Sequence, residues 1–189
     1  MQLFILTEEK SMEKALNHIV PKIISEDVIH SIYQHQGKGD LKKAINGTVP
    51  TLSKIPNSRI LILIDQDCSN CIELKKELFD LMAKKCFSPF LVRIVCHKLE
   101  NWLLGDLKAI EKAFPRFHPS LYQNKKTFRS VDQVKEPHLK MLQIIPEMEK
   151  KKFLPKIDTA EKVAIHLDIN QNRSKSFLQF IGGVRELIK

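Results

Sequence analysis

Two aspartates spaced i, i+2, Asp65 and Asp67, close an unbroken apolar run, Ile60-Leu61-Ile62-Leu63-Ile64. Carboxylates that close repel each other and are costly to hold unless a cation lies between them. Hard oxygen donors of this kind suit Mg²⁺ or Mn²⁺, so metal-dependent phosphate chemistry is the first reading. The second is ordinary solvation of a strand end, with Asp67 capping the helix that follows. The Asp-x-Asp alone leaves both open.

Other acids fall at comparable places. Glu8 follows the apolar run Leu3–Leu6, and Glu100 and Asp106 follow the run Phe90–Cys96. If those runs are strands of one parallel sheet, their carboxyl ends share an edge. The carboxylates are then expected to converge as a phosphoryl-transfer site requires.

Several other motifs carry chemistry less specifically. Cys68-Ser69-Asn70-Cys71 has the spacing of a redox pair opening a helix. Two carboxylates just before it would raise rather than lower a thiol pKa. A zinc site from Cys68, Cys71, Cys86, Cys96 and His97 lacks a second paired spacing. Gly37-Lys38-Gly39-Asp40 is too short for a Walker A loop. Lys38 either faces a phosphate or is a solvated turn lysine. Asn172-Arg173-Ser174-Lys175-Ser176 opens a helix; Arg173, Ser174 and Lys175 either bind a phosphate there or form an ordinary cap with solvated charges. Trp102 reads as a packing residue, and lone histidines such as His97 and His118 as structural or solvent-facing.

The elements that must position these residues follow from periodicity. Gln2–Leu6, Val28–His35, Arg59–Ile64 and Phe90–Cys96 read as strands, the last two as adjacent or near-adjacent central ones. Ser11 is the expected N-cap of a helix to about Ile24 that Pro21 bends or ends early. Asp40 is the expected cap of a short helix over Leu41–Ile45, and a loop runs from there to Asn57. A helix over Asn70–Lys84 is expected to bury Ile72, Leu74, Leu78, Leu81 and Met82. Further helices are expected around Trp102, over Glu136–Ile145, from a Thr159 cap to Leu167, and from Ser174 to the end. Strands alternating with helices predict an α/β fold with a mostly parallel sheet. Residues 115–155, rich in lysine and proline, read as an irregular, helix-poor excursion within a single domain spanning 1–189.

The chain is 43% hydrophobic and 28% charged, with a formal net charge of +9. That sign favours a polyanionic partner, nucleic acid above all. The runs Lys125-Lys126 and Lys150-Lys151-Lys152 add to it. No segment is long enough for a membrane span. The first residues lack the basic start and apolar length of a signal peptide. A cytoplasmic location with reduced cysteines is the expectation.

The order strand–Glu8–helix, then strand–Asp65-x-Asp67, resembles the Toprim (topoisomerase–primase) fold, found also in overcoming-lysogenization-defect type nucleases. A finer likeness runs from Leu3 to about Val184. It is carried by Leu6-Thr7-Glu8-Glu9-Lys10-Ser11-Met12-Glu13, Gln36-Gly37-Lys38-Gly39-Asp40-Leu41, and Asp65-Gln66-Asp67 with Cys71. Its most specific parts are Leu99-Glu100-Asn101-Trp102-Leu103-Leu104-Gly105-Asp106 and Asn172-Arg173-Ser174-Lys175-Ser176-Phe177. These resemble a bacterial Toprim-like family of domains of unknown function, DUF4276-like. The resemblance implies a Rossmann-type three-layer domain and a Mg²⁺- or Mn²⁺-dependent nuclease. Glu8, Asp65, Asp67 and Glu100 would be its ligands, and Lys156, at a recurrent basic position, a catalytic residue. It also implies an ABC- or SMC-like ATPase partner and a role in anti-phage defence. A non-catalytic module binding nucleic acid or an ATPase is the alternative. Lys98 and Cys68 stand where the family commonly has acids, which lowers the charge of the site.

Overall fold

The computed structural model describes residues 1–189. In chain order the elements are β1 (Gln2–Thr7), α1 (Lys10–Ile19), β2 (Ile29–Gln34), α2 (Lys38–Gly47), α3 (Val49–Leu52), β3 (Ser58–Asp65), α4 (Cys71–Lys85) and β4 (Phe90–Val95). Six helices follow: α5 (Glu100–Leu104), α6 (Leu107–Ala113), α7 (Lys126–Arg129), α8 (Pro137–Ile144), α9 (Lys156–Ala164) and α10 (Lys175–Leu187).

The four strands form one sheet in the order β2-β1-β3-β4, and every pairing is parallel. Helices cover both faces, giving a three-layer, Rossmann-like α/β fold. Ile60 through Ile64 are all fully buried, because alternate residues of an inner strand face opposite layers. Ile60, Ile62 and Ile64 pack with Leu41 and Ile45 of α2 and Leu74, Leu78 and Met82 of α4. Leu61 and Leu63 face a larger core built by α1, α5, α6, α9 and α10. Phe117, Phe128, Val131, Met141 and Met148, from the stretch expected to be irregular, are buried in that larger core. These anchors, with two α-helices and three 3-10 turns among them, tie that stretch to the sheet's main layer.

The chain leaves β1 for β2 on one side and returns through β3 on the other. Helix α1 covers one face and α2 the opposite one. This reversal between β1 and β3 is a topological switch point, where the loops after two neighbouring strands diverge and leave a crevice. Glu8 and Asp65 flank it.

Several local expectations are corrected. β4 pairs directly with β3, one of the two placements expected, but lies at the sheet's edge rather than its centre. Ser11 is inside α1. Glu9 holds the N-cap position, and the Ser11 hydroxyl donates to its carboxylate. Pro21 falls in a 3-10 turn over Val20–Lys22 that ends α1 at Ile19. α2 starts three residues early, at Lys38, because Gly37 adopts φ 87 and turns the chain into the helix. The expected loop to Asn57 contains α3. Ile72 is 79% exposed, and the buried stripe of α4 is Leu74, Leu78 and Met82 at strict i, i+4 spacing. α9 begins at Lys156, directly after Pro155, so Thr159 is buried inside the helix rather than capping it. Lys22 donates to the carbonyls of Ala164, Ile165 and Leu167 at the other end of α9 (3.1, 2.7 and 2.9 Å). A cation there complements the helix dipole.

The two isoleucines separate core from surface cleanly. Ile62→Ala should lower unfolding free energy by about 2–5 kcal/mol, and Ile72→Ala by no more than about 0.5 kcal/mol. Urea unfolding followed by circular dichroism measures both.

Candidate metal centre

The carboxyl edge of the sheet is built from three turns that hold acids close to one another. After β1, the Glu8 carbonyl accepts the Gly37 amide at 3.0 Å, which pins the start of α2 to the end of β1. After β3, the Gln66 and Asp67 amides donate to the Val95 and His97 carbonyls (2.9 and 2.8 Å). The Gln66 side chain accepts from the His97 amide and donates to the Ser69 carbonyl. Asp67 and His97 both lie in the left-handed region, at φ 52 and φ 54. Side chains rarely adopt it, and such residues gather where a site needs an unusual direction of the chain. Asp67 does not cap α4. Asn70 does, its Oδ1 accepting the Ile72 and Glu73 amides (2.9 and 3.3 Å). One part of the solvation reading is thereby removed.

Asp65 is 4% exposed and Glu100 is 3% exposed. Burial pushes the Asp65 carboxyl well above the usual range, and Glu9, Glu100, Glu8 and Asp67 push it further. Glu8 is raised to about 7, mainly by burial; the nearby Lys38 opposes this and Asp67 adds to it. So Glu8, Asp65, Asp67 and Glu100 do share one neighbourhood. Glu9 belongs to it too and was not singled out by its sequence position. The signal was the doubled acid directly after a strand, since the chain turns there and both side chains stay at the edge.

Two lysines enter the group. Lys38 Nζ lies 2.9 Å from Asp67 Oδ2 and donates to the Gln66 carbonyl at 3.1 Å. Lys38 therefore faces an acid, not open solvent. Lys156 Nζ lies 3.8 Å from Glu100 Oε1. Burial lowers the Lys156 pKa, but Glu100, Glu9, Asp65 and Asp67 outweigh it, and the net shift is upward. Within the group, three buried carboxylate oxygens have no hydrogen-bond partner: Glu8 Oε2, Asp65 Oδ1 and Glu100 Oε2. A buried acceptor left bare costs roughly 1–3 kcal/mol, more when charged. A hard divalent cation is the ligand such a donor set fits. As the side chains stand, no three His, Cys, Asp or Glu groups are drawn tightly enough to chelate one. All four cysteines are free thiols.

Residues 7–185 match the family model described as a domain of unknown function (DUF4276). The chain belongs to the DUF4276 family. No match was found among curated proteins or among solved structures.

In this DUF4276 chain the two most distinctive sequence stretches form one interlocked unit beside the acids. The Arg173 amide donates to the Gly105 carbonyl at 2.9 Å. Asn172 Nδ2 donates to the Trp102 carbonyl, while its Oδ1 accepts the Ser174 amide (both 2.8 Å). A Cβ at Gly105 would lie 1.9 Å from Asn172 Oδ1, so only glycine permits this approach. Trp102 is fully buried. Its indole N–H donates to Ser176 Oγ at 2.9 Å, and its ring packs on Phe177 and Phe180. Glu100, two residues before Trp102, is positioned by this lock.

Of the residues expected to bind nucleic acid, Lys38 stands at the acids, but Arg173, Ser174 and Lys175 are not gathered there. Ser174 is fully buried. Its hydroxyl caps α10 through the Phe177 amide (3.1 Å) and donates to Asp132 Oδ1 (2.6 Å). The Ser176 amide donates to Asp132 Oδ2 at 2.9 Å. Asp132 therefore occupies the anion position at the start of α10 that sequence reasoning offered to a phosphate. It came from the stretch read as irregular, so no spacing pointed to it. Arg173 is exposed but ties down the Gln123 and Phe128 carbonyls (2.8 and 3.2 Å). Lys175 is exposed. Asp106 is not in the acidic group either: it caps α6 through the Ala109 amide and accepts the Asp168 amide.

A stability profile follows from the raised acids. Between the ordinary carboxylate range and about pH 7, the folded protein keeps protons on Glu8 and Asp65 that the unfolded chain releases. Stability must then fall as pH rises through that window. Without divalent cation, the melting temperature should drop from pH 5 to pH 8. Asp65→Asn should flatten the profile and raise the midpoint at pH 8 by roughly 2–4 °C. Scanning calorimetry in chelator at both pH values measures it.

Proposed function

We propose that this DUF4276 protein is a Toprim-like, Mg²⁺- or Mn²⁺-dependent nuclease that hydrolyses phosphodiester bonds in nucleic acid. The observation that carries the reading is the trio of bare, buried carboxylate oxygens on Glu8, Asp65 and Glu100, contributed by the segment after β1, the end of β3 and the segment after β4. Glu8, Asp65 and Asp67 would hold the cation, with Glu100 as a further ligand or a base. The cation supplies Lewis-acid activation of the phosphodiester and offsets the charge of the acids.

The chain's own residues do the rest. Asp65 and Glu8, held neutral or nearly so by burial, become good ligands only when a positive charge arrives. Lys38 keeps Asp67 oriented into the crevice. Lys156 is cationic at neutral pH and stands at the Glu100 side of the group, placed to meet an incoming phosphate. The net charge of +9 supports a polyanionic substrate. Arg173 and Lys175 are proposed to meet its phosphates at the surface, and Ser174 contributes only as the cap between them. An ABC- or SMC-like ATPase partner, anti-phage defence and a cytoplasmic location are proposals resting on the resemblance. No helix is long and apolar enough to cross a membrane.

A second reading has its own observation. Lys38 and Lys156 already pair with Asp67 and Glu100, so lysines take part of the role a cation would fill. On that reading the edge is a charge-balanced binding surface without catalysis.

A cleavage assay on single-stranded and duplex DNA and RNA, with Mg²⁺ or Mn²⁺, separates the two. Asp65→Asn and Asp67→Asn should each reduce cleavage at least about 100-fold while the circular dichroism spectrum is unchanged. Cleavage that survives in both variants contradicts this site. Binding of nucleic acid by the wild type with no cleavage under any of these conditions favours the non-catalytic reading.

A further inference from the structure

At the opposite side of the domain, the structure carries two positive charges, Arg59 and Arg93, that no acid pairs directly. Arg59 on β3 and Arg93 on β4 project from the same sheet face, since Leu61 pairs with Leu91 and Leu63 with Arg93 in the parallel register. Both are partly buried under the second half of α10. Neither joins any of the eight ion pairs of the protein. Burial alone lowers the Arg93 pKa, with no acid to restore it. Arg93 Nε donates to the Gln179 carbonyl at 3.2 Å and Nη1 to the Val92 carbonyl at 3.4 Å. Arg59 Nε donates to the Leu187 carbonyl and Nη1 to the Ser58 carbonyl, both at 3.0 Å. The Nη2 group of each guanidinium has no protein acceptor among these bonds.

The space around them is kept open. The two arginines line an open surface groove of about 630 Å³, a volume large enough for a small molecule. Pro89, Phe90 and Leu187 give it apolar walls and Gln179 a polar one; Glu186, the acid that also lines it, is paired with Lys189 at 2.6 Å. Gly183 is part of the device: a Cβ there would lie 2.5 Å from Arg93 Nη2. Glycine in mid-helix costs about 1 kcal/mol relative to alanine, and here it leaves the guanidinium room beneath α10. The carbonyl bonds explain how the arginines are held; they do not neutralise them. Burying cations without a partner is unfavourable. Two guanidiniums are balanced together by a dianion, whereas a carboxylate balances only one. Arginine's fork also matches phosphate oxygens.

We propose that this groove binds a small phosphate monoester with an apolar or planar body, such as a nucleoside monophosphate. The phosphate lies between Arg59 and Arg93, and the body lies on Pro89, Phe90 and Leu187. The site is separate from the acidic edge and does not depend on the nuclease reading.

The test uses ¹⁵N-labelled full-length protein titrated with inorganic phosphate, adenosine monophosphate and adenosine, with chelator present. Saturable shifts of the Gly182 and Gly183 amides are expected with both phosphates and not with adenosine, the monophosphate binding more tightly. Arg93→Gln and Arg59→Gln should each weaken binding at least about tenfold, as the loss of charge-assisted hydrogen bonds implies. Arg93→Lys should restore part of it, and Asp65→Asn should leave it unchanged. No saturable shift in the wild type overturns the proposal, a result that needs no variant to fold. Equal affinity in wild type and both glutamine variants also overturns it. So does a response of these glycines to an oligonucleotide but to neither phosphate, which would make the groove a nucleic-acid contact.

Discussion

The arrangement of the molecule turns on a buried carboxyl group, Asp65, at the end of its most deeply buried strand. Five apolar residues carry β3 through the sheet's interior, and the next residue is an acid with four others around it. Such a group is tolerated in the absence of a cation only by holding its proton or by borrowing charge from lysines. The surroundings do both. Asp65 and Glu8 are pushed towards the neutral form, while Lys38 and Lys156 stand against Asp67 and Glu100. A chain selected for stability alone would place an apolar residue there, since replacing buried charge with well-packed hydrophobic groups is commonly neutral or stabilising. That cost is what supports the proposal that the protein's chemistry resides at this edge.

Much of the fold is scaffolding for that one edge. The reversal of the chain between β1 and β3 opens the crevice. The left-handed Asp67 and His97 turn the chain after β3 and β4, and Gly37 brings α2 in from the side. On the far face, the interlock of Gly105, Asn172, Trp102 and Ser176 fixes α5 against α10 and so fixes Glu100. Lys22 holds the carboxyl end of α9, whose first residue is Lys156. Segments distant in sequence are made rigid so that side chains from β1, β3, α5 and α9 meet.

The legible part of this architecture was the part set by local pattern. The continuous apolar run of β3 announced a strand buried on both faces, and helices between strands announced a parallel α/β sheet. Acids placed after strands announced a shared edge. What escaped was set by tertiary contact. Strand order is not written in any strand, so β4 read as central although it is an edge. Ser11, Asp40 and Thr159 are good caps by type, but Glu9, Gly37 and Pro155 hold the cap positions because the incoming chain arrives there. Asp106 followed the rule for a site acid and is a helix cap. Ser174 had the look of a phosphate contact, but an acid 42 residues earlier, Asp132, fills that place; only the folded chain brings the two together.

The central claim is that Glu8, Asp65, Asp67 and Glu100 surround a divalent cation. Anomalous diffraction from crystals soaked in Mn²⁺ tests it most directly. The account predicts a manganese peak at the crevice between β1 and β3, bonded to Asp65 Oδ1 and Glu8 Oε2, with Lys38 displaced from Asp67. A map with no peak there at saturating Mn²⁺, and with Lys38 and Lys156 still paired to their acids, would contradict it.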